Sequence, residues 1–388
     1  MLNFKFHAPT EIFFGKDQIK VLANSIKRHG GSKVLLVYGK SSIKKMGLYD
    51  KVTSIFKEKE IFFKELSGVD PNPRLSSVKE GVRIIRENDI DFVLAVGAGS
   101  VLDCSKAIAA GALYAGDPWD FAIRKAAVKK ALPIGTVLTL AATGSEMNGG
   151  AVITNEETAE KLPIHAEATK PAFSILDPTY TFTVPANQTA AGTADIMSHV
   201  FEQYFSKNHD AYITDRLCEG VLRTAVHYAP MALRMPDNYE ARSNLMWAGT
   251  IGLNHILSCG KITDWATHLI EHEISAIYDL THGVGLAILT PAWMRYVLDN
   301  YNHNKFCDMG RRVFDLEGED SMQLAEETID ELERFFNKIG LPTRLSEVDI
   351  DESRFEEMAE KVISHFGSIG NFKKLNKEDV LCILNGCR

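Results

Sequence analysis

Short apolar runs alternate with amphipathic stretches through the first half of the chain, and long helical patterns fill the second. Residues 33–39, KVLLVYG, form a nearly unbroken apolar run closed by glycine, the pattern of a parallel strand buried on both faces. Helical spacing follows over 48–60, a second strand-like run over 61–66, and then Pro71-Asn72-Pro73, a turn through which no helix can pass. Val78, Val82 and Ile85 recur at helical intervals within 75–88, after which residues 92–96 read as strand and 101–114 as helix. Further strands are expected over 132–140, 151–154 and 173–176. Repeated strand–helix–strand units with apolar strands predict an α/β fold, a doubly wound and mainly parallel sheet covered on both faces.

Beyond Pro185 the texture changes. Helical periodicity runs over 191–202, 210–228, 239–257, 262–278, 287–298, 326–339, 351–364 and 377–385, with hardly any strand-like run between them. An all-α second half follows, with the boundary placed at 184/185: domain one is 1–184 and domain two 185–388. The acidic stretches near 317–333 and 348–357 read as solvated helix faces.

Composition narrows the function. A chain of 388 residues exceeds one ordinary core, in keeping with two domains. A formal charge of −8 argues against nucleic acid as a partner, because phosphate binding wants a basic surface. No apolar run is long enough to span a membrane, and no basic segment followed by an apolar one marks an export signal, so a cytoplasmic protein is expected. The six cysteines include no Cys-x-x-Cys pair, which makes a thiolate metal site a poor reading.

Two turns could receive a phosphate. In VLAVGAGSVLDCS, residues 93–105, a strand ends, Gly97-Ala98-Gly99-Ser100 turns, and a helix begins. Glycines let the backbone come close to an anion, and the free N–H groups of a helix start attract it. The run lacks the third glycine of the dinucleotide fingerprint, so alone it is equally an ordinary tight turn. A second strand opens into a Gly/Ser/Thr-rich turn over 138–146, LTLAATGSE. Two such turns at the ends of parallel strands make a nucleotide crevice the better reading. At the end of the first strand a carboxylate would bond the ribose 2′-hydroxyl and repel a 2′-phosphate. The chain instead offers Gly39, Lys40, Ser41 and Ser42, with Lys44 and Lys45 beyond. That favours NADP(H) and leaves NAD(H) possible.

The densest ligand chemistry lies in the second half. Asp195 and His199 are four residues apart in AGTADIMSHVFE, and so share a helix face. His268 and His272 repeat that spacing in WATHLIEHEISAIYDLTHG, where His282 follows in a Thr-His-Gly turn. One carboxylate and three imidazoles suffice for a divalent metal, although spacing alone does not say which three histidines bind. His7, His29, His165, His209, His227, His255, His303 and His365 read as ordinary core or surface residues.

The segments FFGKDQI, VYGKSSIKKMG, SGVDPNPR, VLAVGAGSVLDCSK, TLAATGSEMN, KPAFSILDPTYTFTVPANQTAAGTADIMSHVFEQYF, EARSNLMWAG and HLIEHEISAIYDLTHGVGLAILTPAWM span nearly the whole chain. In that order they resemble the iron-activated (group III) alcohol dehydrogenases, most closely their butanol dehydrogenase branch. The resemblance implies a dinucleotide-binding domain followed by a helical metal-binding domain, the architecture of dehydroquinate synthase. It implies that Asp195, His199, His268 and His282 bind the metal and that His272 is a non-ligand proton-relay residue near the nicotinamide. It implies that Gly97, Ala98, Gly99, Ser100 and Asp103 line the pyrophosphate side, and that Thr139, Thr143, Ser145, Val152, Lys161 and Leu176 match cofactor-contacting positions. Two departures stand out: Ala98 replaces the middle one of three glycines, and Lys40 and Ser41 interrupt a glycine run.

A site of one carboxylate and three neutral imidazoles suits Fe2+ or Zn2+ and leaves a net positive charge for a substrate oxygen. The expected activity is reversible conversion of a short straight-chain aldehyde, such as butanal, to its primary alcohol by hydride transfer. A lyase of the dehydroquinate synthase type would want basic residues to grip a phosphate, and residues 265–283 carry no Arg or Lys. A non-catalytic nucleotide-binding protein is the other alternative. A homodimer paired through residues 2–6 or 11–14 is what the family suggests.

Overall fold

Five of the six runs expected as strands, joined by Glu11–Phe14, make one parallel sheet in the computed structural model, which describes residues 1–208 and 210–388, while 151–154 falls in a separate hairpin. His209 lies outside the described residues. By its internal contacts the chain divides into His7–Val184 and a second unit made of Met1–Phe6 with Pro185–Arg388. The first six residues thus group with the helices, where the Leu2 N–H donates to the Gly260 carbonyl at 3.1 Å.

In the first unit the strands are β1 (Glu11–Phe14), β2 (Lys33–Tyr38), β3 (Phe62–Leu66), β4 (Phe92–Gly97), β5 (Ile134–Leu138) and β8 (Phe173–Leu176). Their order across the sheet is β1-β8-β5-β4-β2-β3, and every pair is parallel. Helices α1 (Leu22–Arg28), α2 (Ser42–Lys45), α3 (Leu48–Glu58), α4 (Leu75–Asn88), α5 (Gly99–Ala112) and α6 (Trp119–Ala122) connect them. All six residues of β4 and the last five of β2 are buried, as strands covered on both faces must be. Leu48, Val52 and Phe56 bury one stripe of α3, while Val78, Val82 and Ile85 bury one stripe of α4. Each fully buried side chain of this kind contributes roughly 1.5–3 kcal/mol.

The chain runs outward from β2 to β3, then returns to β4 and continues to β5 on the other side. The order therefore reverses between β2 and β4, where the crossovers part and leave a crevice at the carboxyl ends of the strands. Gly39 directly follows the first of these strands and Gly97 ends the second. A separate antiparallel hairpin is formed by β6 (Gly150–Asn155) and β7 (Glu160–His165). The second of these carries Pro163 and two charged residues, so its sequence lacks strand character.

The second unit holds α7 (Ala186–Tyr204), α8 (Tyr212–Arg234), α9 (Tyr239–Gly252), α10 (Ala266–Tyr278), α11 (His282–Val297), α12 (His303–Val313), α13 (Met322–Lys338), α14 (Phe355–Phe366) and α15 (Lys377–Gly386). Helix α7 packs on α8, α9, α10 and α11, and every residue from Thr189 to Tyr204 is buried. Its small residues make this possible: a Cβ on Gly283 would lie 2.0 Å from the Ala191 carbonyl oxygen. Helix α11 starts at His282 rather than near 287. The glycines of Thr-His-Gly-Val-Gly read as a turn, yet they are there to let the first turn of a helix touch its neighbour. Below, Phe205, Trp293, Phe306 and Phe372 form an aromatic cluster with ring centroids 4.7–6.3 Å apart. Among the described residues no helix is long and apolar enough to cross a membrane.

Candidate nucleotide cradle and metal centre

The turns after β4 and β5 are built against each other. Leu138 pairs with Gly97, and the Thr139 N–H continues the ladder to the Gly97 carbonyl at 3.0 Å. A Cβ on Gly99 would meet Thr143 Cγ2 and Oγ1 at 2.6 Å, so only glycine lets the helix start lie under the second turn. Gly144 takes φ +60°, the left-handed region glycine adopts without strain. Ala98 is the extended residue before α5, a role that needs no glycine, consistent with its replacing one.

Asp103, one turn into α5, joins three elements. Its Oδ1 accepts the Ser145 hydroxyl at 2.6 Å and its Oδ2 accepts the Val152 N–H of β6 at 2.9 Å. Thr143 Oγ1 accepts the Ser145 N–H at 3.2 Å. These contacts link Gly97, Gly99, Asp103, Thr139, Thr143, Ser145 and Val152, with Ala98 and Ser100 adjoining in the chain. Gly39 stands on the neighbouring strand, where its carbonyl accepts the Gly68 N–H at 3.0 Å. Ser41 and Ser42 begin α2, and Lys40 pairs with Asp70 at 2.7 Å, both well exposed. Lys161 is buried on β7 opposite Thr154. Leu176 is fully buried at the end of β8, its carbonyl accepting the Gly15 N–H at 2.9 Å.

In the helical unit three helix segments bring the second set together. Asp195 and His199 come from α7, His268 and His272 from α10, and His282 from the first position of α11. Asp195, His268 and His282 can each offer one ligand atom with all three atoms within 4.8 Å of one another. His199 adjoins them: its Nδ1 is 3.4 Å from Asp195 Oδ1 and its ring centroid 4.6 Å from that of His268. His282 also belongs to a second such group, with Glu271 and His272. His268 Nε2 is buried and makes no hydrogen bond, an arrangement that is costly unless a ligand completes it.

The electrostatics suit a cation. Burial, followed by the nearby His268 and His282 rings, holds the His199 pKa well below the ordinary imidazole value, so that ring is neutral. Two buried glutamates take the remaining imidazole nitrogens. Glu202 Oε1 accepts from His268 Nδ1 at 2.8 Å and from the His268 backbone N–H at 3.1 Å, while Oε2 accepts the Trp265 N–H. Glu271 accepts from His282 Nδ1 and from the Ser275 hydroxyl. With Nδ1–H given to a carboxylate, each ring turns its Nε2 lone pair outward, the usual way proteins orient a metal-binding imidazole. Nitrogen and carboxylate donors of this kind fit Fe2+ or Zn2+. Residue type and spacing do not assign Glu202 or Glu271 a role at the site. Neither glutamate serves the histidine three positions before it on its own helix: Glu202 reaches His268 and Glu271 reaches His282, pairings that only the fold brings about.

A helical unit with an imidazole–carboxylate cluster, in one chain with a glycine-turned parallel sheet, is the ground plan of a dinucleotide-using metalloenzyme. The family model described as iron-containing alcohol dehydrogenase matches residues 9–178, and the C-terminal model of the same family matches residues 189–387. The chain belongs to the iron-containing alcohol dehydrogenase family. It is 51% identical to NADH-dependent butanol dehydrogenase A of Clostridium acetobutylicum over 98% of each chain. It is 40% identical to the NADPH-dependent aldehyde reductase YqhD of Escherichia coli over 94% of each. The crystal structure of NADH-dependent butanol dehydrogenase A from Thermotoga maritima superposes with a TM-score of 0.96 at 43% identity, covering 100% of this chain and 99% of that one. The protein is accordingly an enzyme, an alcohol/aldehyde oxidoreductase, and neither the lyase nor the non-catalytic reading is favoured.

Proposed function

We propose that the protein interconverts short straight-chain aldehydes, butanal among them, and their primary alcohols, using a nicotinamide dinucleotide and one divalent metal. The observation that carries this reading is the group of Asp195, His268 and His282, the first two buried and the third partly so, with His199 beside it and no cysteine in it. The named activities of relatives about half identical to this chain support the substrate class.

Asp195, His199, His268 and His282 would hold Fe2+ or Zn2+, and Glu202 and Glu271 would fix the two imidazoles they touch. When bound, the ion supplies Lewis acidity toward the substrate oxygen and the nicotinamide supplies or accepts hydride. Asp195 and three neutral rings leave a +2 ion with one net positive charge, which favours an oxyanion. His272, 5% exposed and with its ring centroid 5.6 Å from that of His282, would be the residue that holds or passes the proton of the alcohol oxygen. The turns at 97–100 and 139–145 would receive the diphosphate.

The enzyme takes both coenzymes on this reading, with Lys40, Ser41 and Ser42 giving NADP(H) the advantage. Relatives named for NADH and for NADPH are consistent with a site that admits either. We further place the protein in the cytoplasm as a homodimer. All six cysteines are free, as in a reducing compartment. Among the described residues β1 pairs with β8 alone, leaving its other edge for a second copy. Oxidation of NADPH and NADH by aldehydes of increasing length, in Fe2+ and then Zn2+, tests the activity. No turnover with any aldehyde under either metal would refute it, and light scattering reads the dimer.

A further inference from the structure

Helix α5 buries a lysine that no catalytic step above uses. Lys106 is wholly inaccessible, and its ammonium spends all three protons within the protein. Nζ donates to Ser145 Oγ at 2.7 Å, to Asn148 Oδ1 at 3.2 Å and to the Gly150 carbonyl at 2.7 Å. Ser145 and Asn148 lie on the segment between β5 and β6, and Gly150 is the first residue of β6. Ser145 passes the chain on by donating to Asp103 Oδ1, and Asp103 Oδ2 takes the Val152 N–H. Asn148 Oδ1 also accepts the Gly150 N–H, and Asn148 Nδ2 donates to the Gly144 carbonyl, both at 2.9 Å. One ammonium therefore stands at the root of a closed network containing Asp103, Ser145 and Val152, three of the residues assigned to the nucleotide.

A buried cation is costly, and a hydrocarbon side chain would fill the same space without that cost. What a hydrocarbon cannot do is hold three acceptors at once or balance the carboxylates nearby. We propose that Lys106 is a positioning residue of the nucleotide cradle: it locks the 143–150 turn in the shape that receives a dinucleotide diphosphate, and offsets the Asp103 and Glu146 charges that would repel one. The proposal rests on the reading that this cradle binds the dinucleotide.

The groups facing Lys106 are Asp103 on its own helix, Glu146 on the turn and His165 on β7. Burial pushes the Lys106 pKa down to about 8, with Asp103 and then Glu146 acting against that fall. Burial and the Lys106 charge hold His165 below its ordinary value, so it is already neutral at pH 7. In this group of neighbours, then, it is Lys106 that changes charge just above neutrality. A nucleotide held by a cradle rooted on this ammonium is expected to bind more weakly as the lysine loses its charge with rising pH.

The test is a fluorescence titration of the metal-loaded enzyme with NADH and with NADPH from pH 7 to 9, in wild type and Lys106→Met. Wild type should bind more weakly as pH rises. Lys106→Met should bind both coenzymes about tenfold or more weakly at pH 7, with no pH trend and with unchanged metal content. Wild-type affinity in the variant would overturn the proposal. If Lys106→Met fails to fold, Asn148→Ala, which removes one of the three acceptors, should weaken both coenzymes in the same direction, and unchanged affinity there would overturn the proposal. Absence of any nucleotide binding by wild type would bring down the cradle reading itself, and this proposal with it.

Discussion

The two units of this enzyme assemble their candidate sites from opposite materials. In the sheet unit the working parts are backbone and small side chains. Gly97 ends a strand, Gly99 lies under Thr143, and Gly144 turns with positive φ. In the helical unit the backbone is ordinary α-helix, and the chemistry belongs to long side chains thrown inward from α7, α10 and α11. A cradle for a diphosphate needs N–H groups and room, so it is sensitive to added bulk. A cation centre needs particular donor atoms, so it is sensitive to their removal. The difference predicts that damage on one side should be silent on the other, and each experiment below asks whether that separation holds.

The largest effect is expected from His268→Ala. It removes the ring whose Nε2 is buried without a hydrogen bond. Metal should be lost, and turnover should fall by about 10³-fold or more, because Lewis acidity is worth several kcal/mol in the transition state. Nucleotide affinity, measured by fluorescence, should not move. Full activity with metal retained would break the ligand assignment. His272→Ala should keep its metal, by elemental analysis, yet slow turnover by about 10²-fold, the ordinary worth of a positioned proton donor. Loss of metal in that variant would place His272 among the ligands, with Glu271 and His282, the other grouping the geometry allows.

Next come the carboxylates behind the imidazoles. Glu202→Gln still accepts from His268 Nδ1 but removes a buried negative charge, and should weaken metal binding by about 10- to 100-fold in chelator competition. Glu271→Gln should behave alike through His282. On the sheet side, Gly99→Ala forces a methyl to within 2.6 Å of Thr143. Overpacking of this kind costs roughly 1–3 kcal/mol, so nucleotide affinity should fall about tenfold with metal content intact. Equal loss of metal and nucleotide in any of these would show that the units are not independent.

The same contrast explains what could be read from the sequence. Periodicity made the fold legible, because strands buried on both faces and amphipathic helices such as α4 carry unambiguous patterns. It failed where burial is supplied by something other than apolar residues. Helix α12, HNKFCDMGRRV, buries Lys305 against Asp215 beside Phe306, Met309 and Val313, while β7 is held in a hairpin despite its proline. In the site, Asp195 and the histidines stood out because their residue types announce metal chemistry. Lys106, Glu202 and Glu271 did not, since a charged residue in helical sequence is normally a solvated one. Only the fold reveals that these three are 0%, 2% and 0% exposed.

The smallest effect concerns the choice of coenzyme, and it sits where neither unit's logic is strong. Lys40 follows β2 on the surface and already has a partner, Asp70, at 2.7 Å. Both side chains are largely exposed, so the pair is worth about 0.2–1 kcal/mol at most, and an incoming 2′-phosphate can replace Asp70 at little cost. Lys40→Ala should therefore lower the NADPH-over-NADH preference in kcat/KM by only about two- to fivefold. Asp70→Asn should raise it by a similar factor, since it frees the ammonium. Both shifts should vanish in about 1 M salt, where charges more than ~3 Å apart are screened. If Lys40→Ala leaves the ratio untouched while Asp70→Asn moves it, the carboxylate reads the ribose directly, and NADH becomes the natural coenzyme despite the lysines around it.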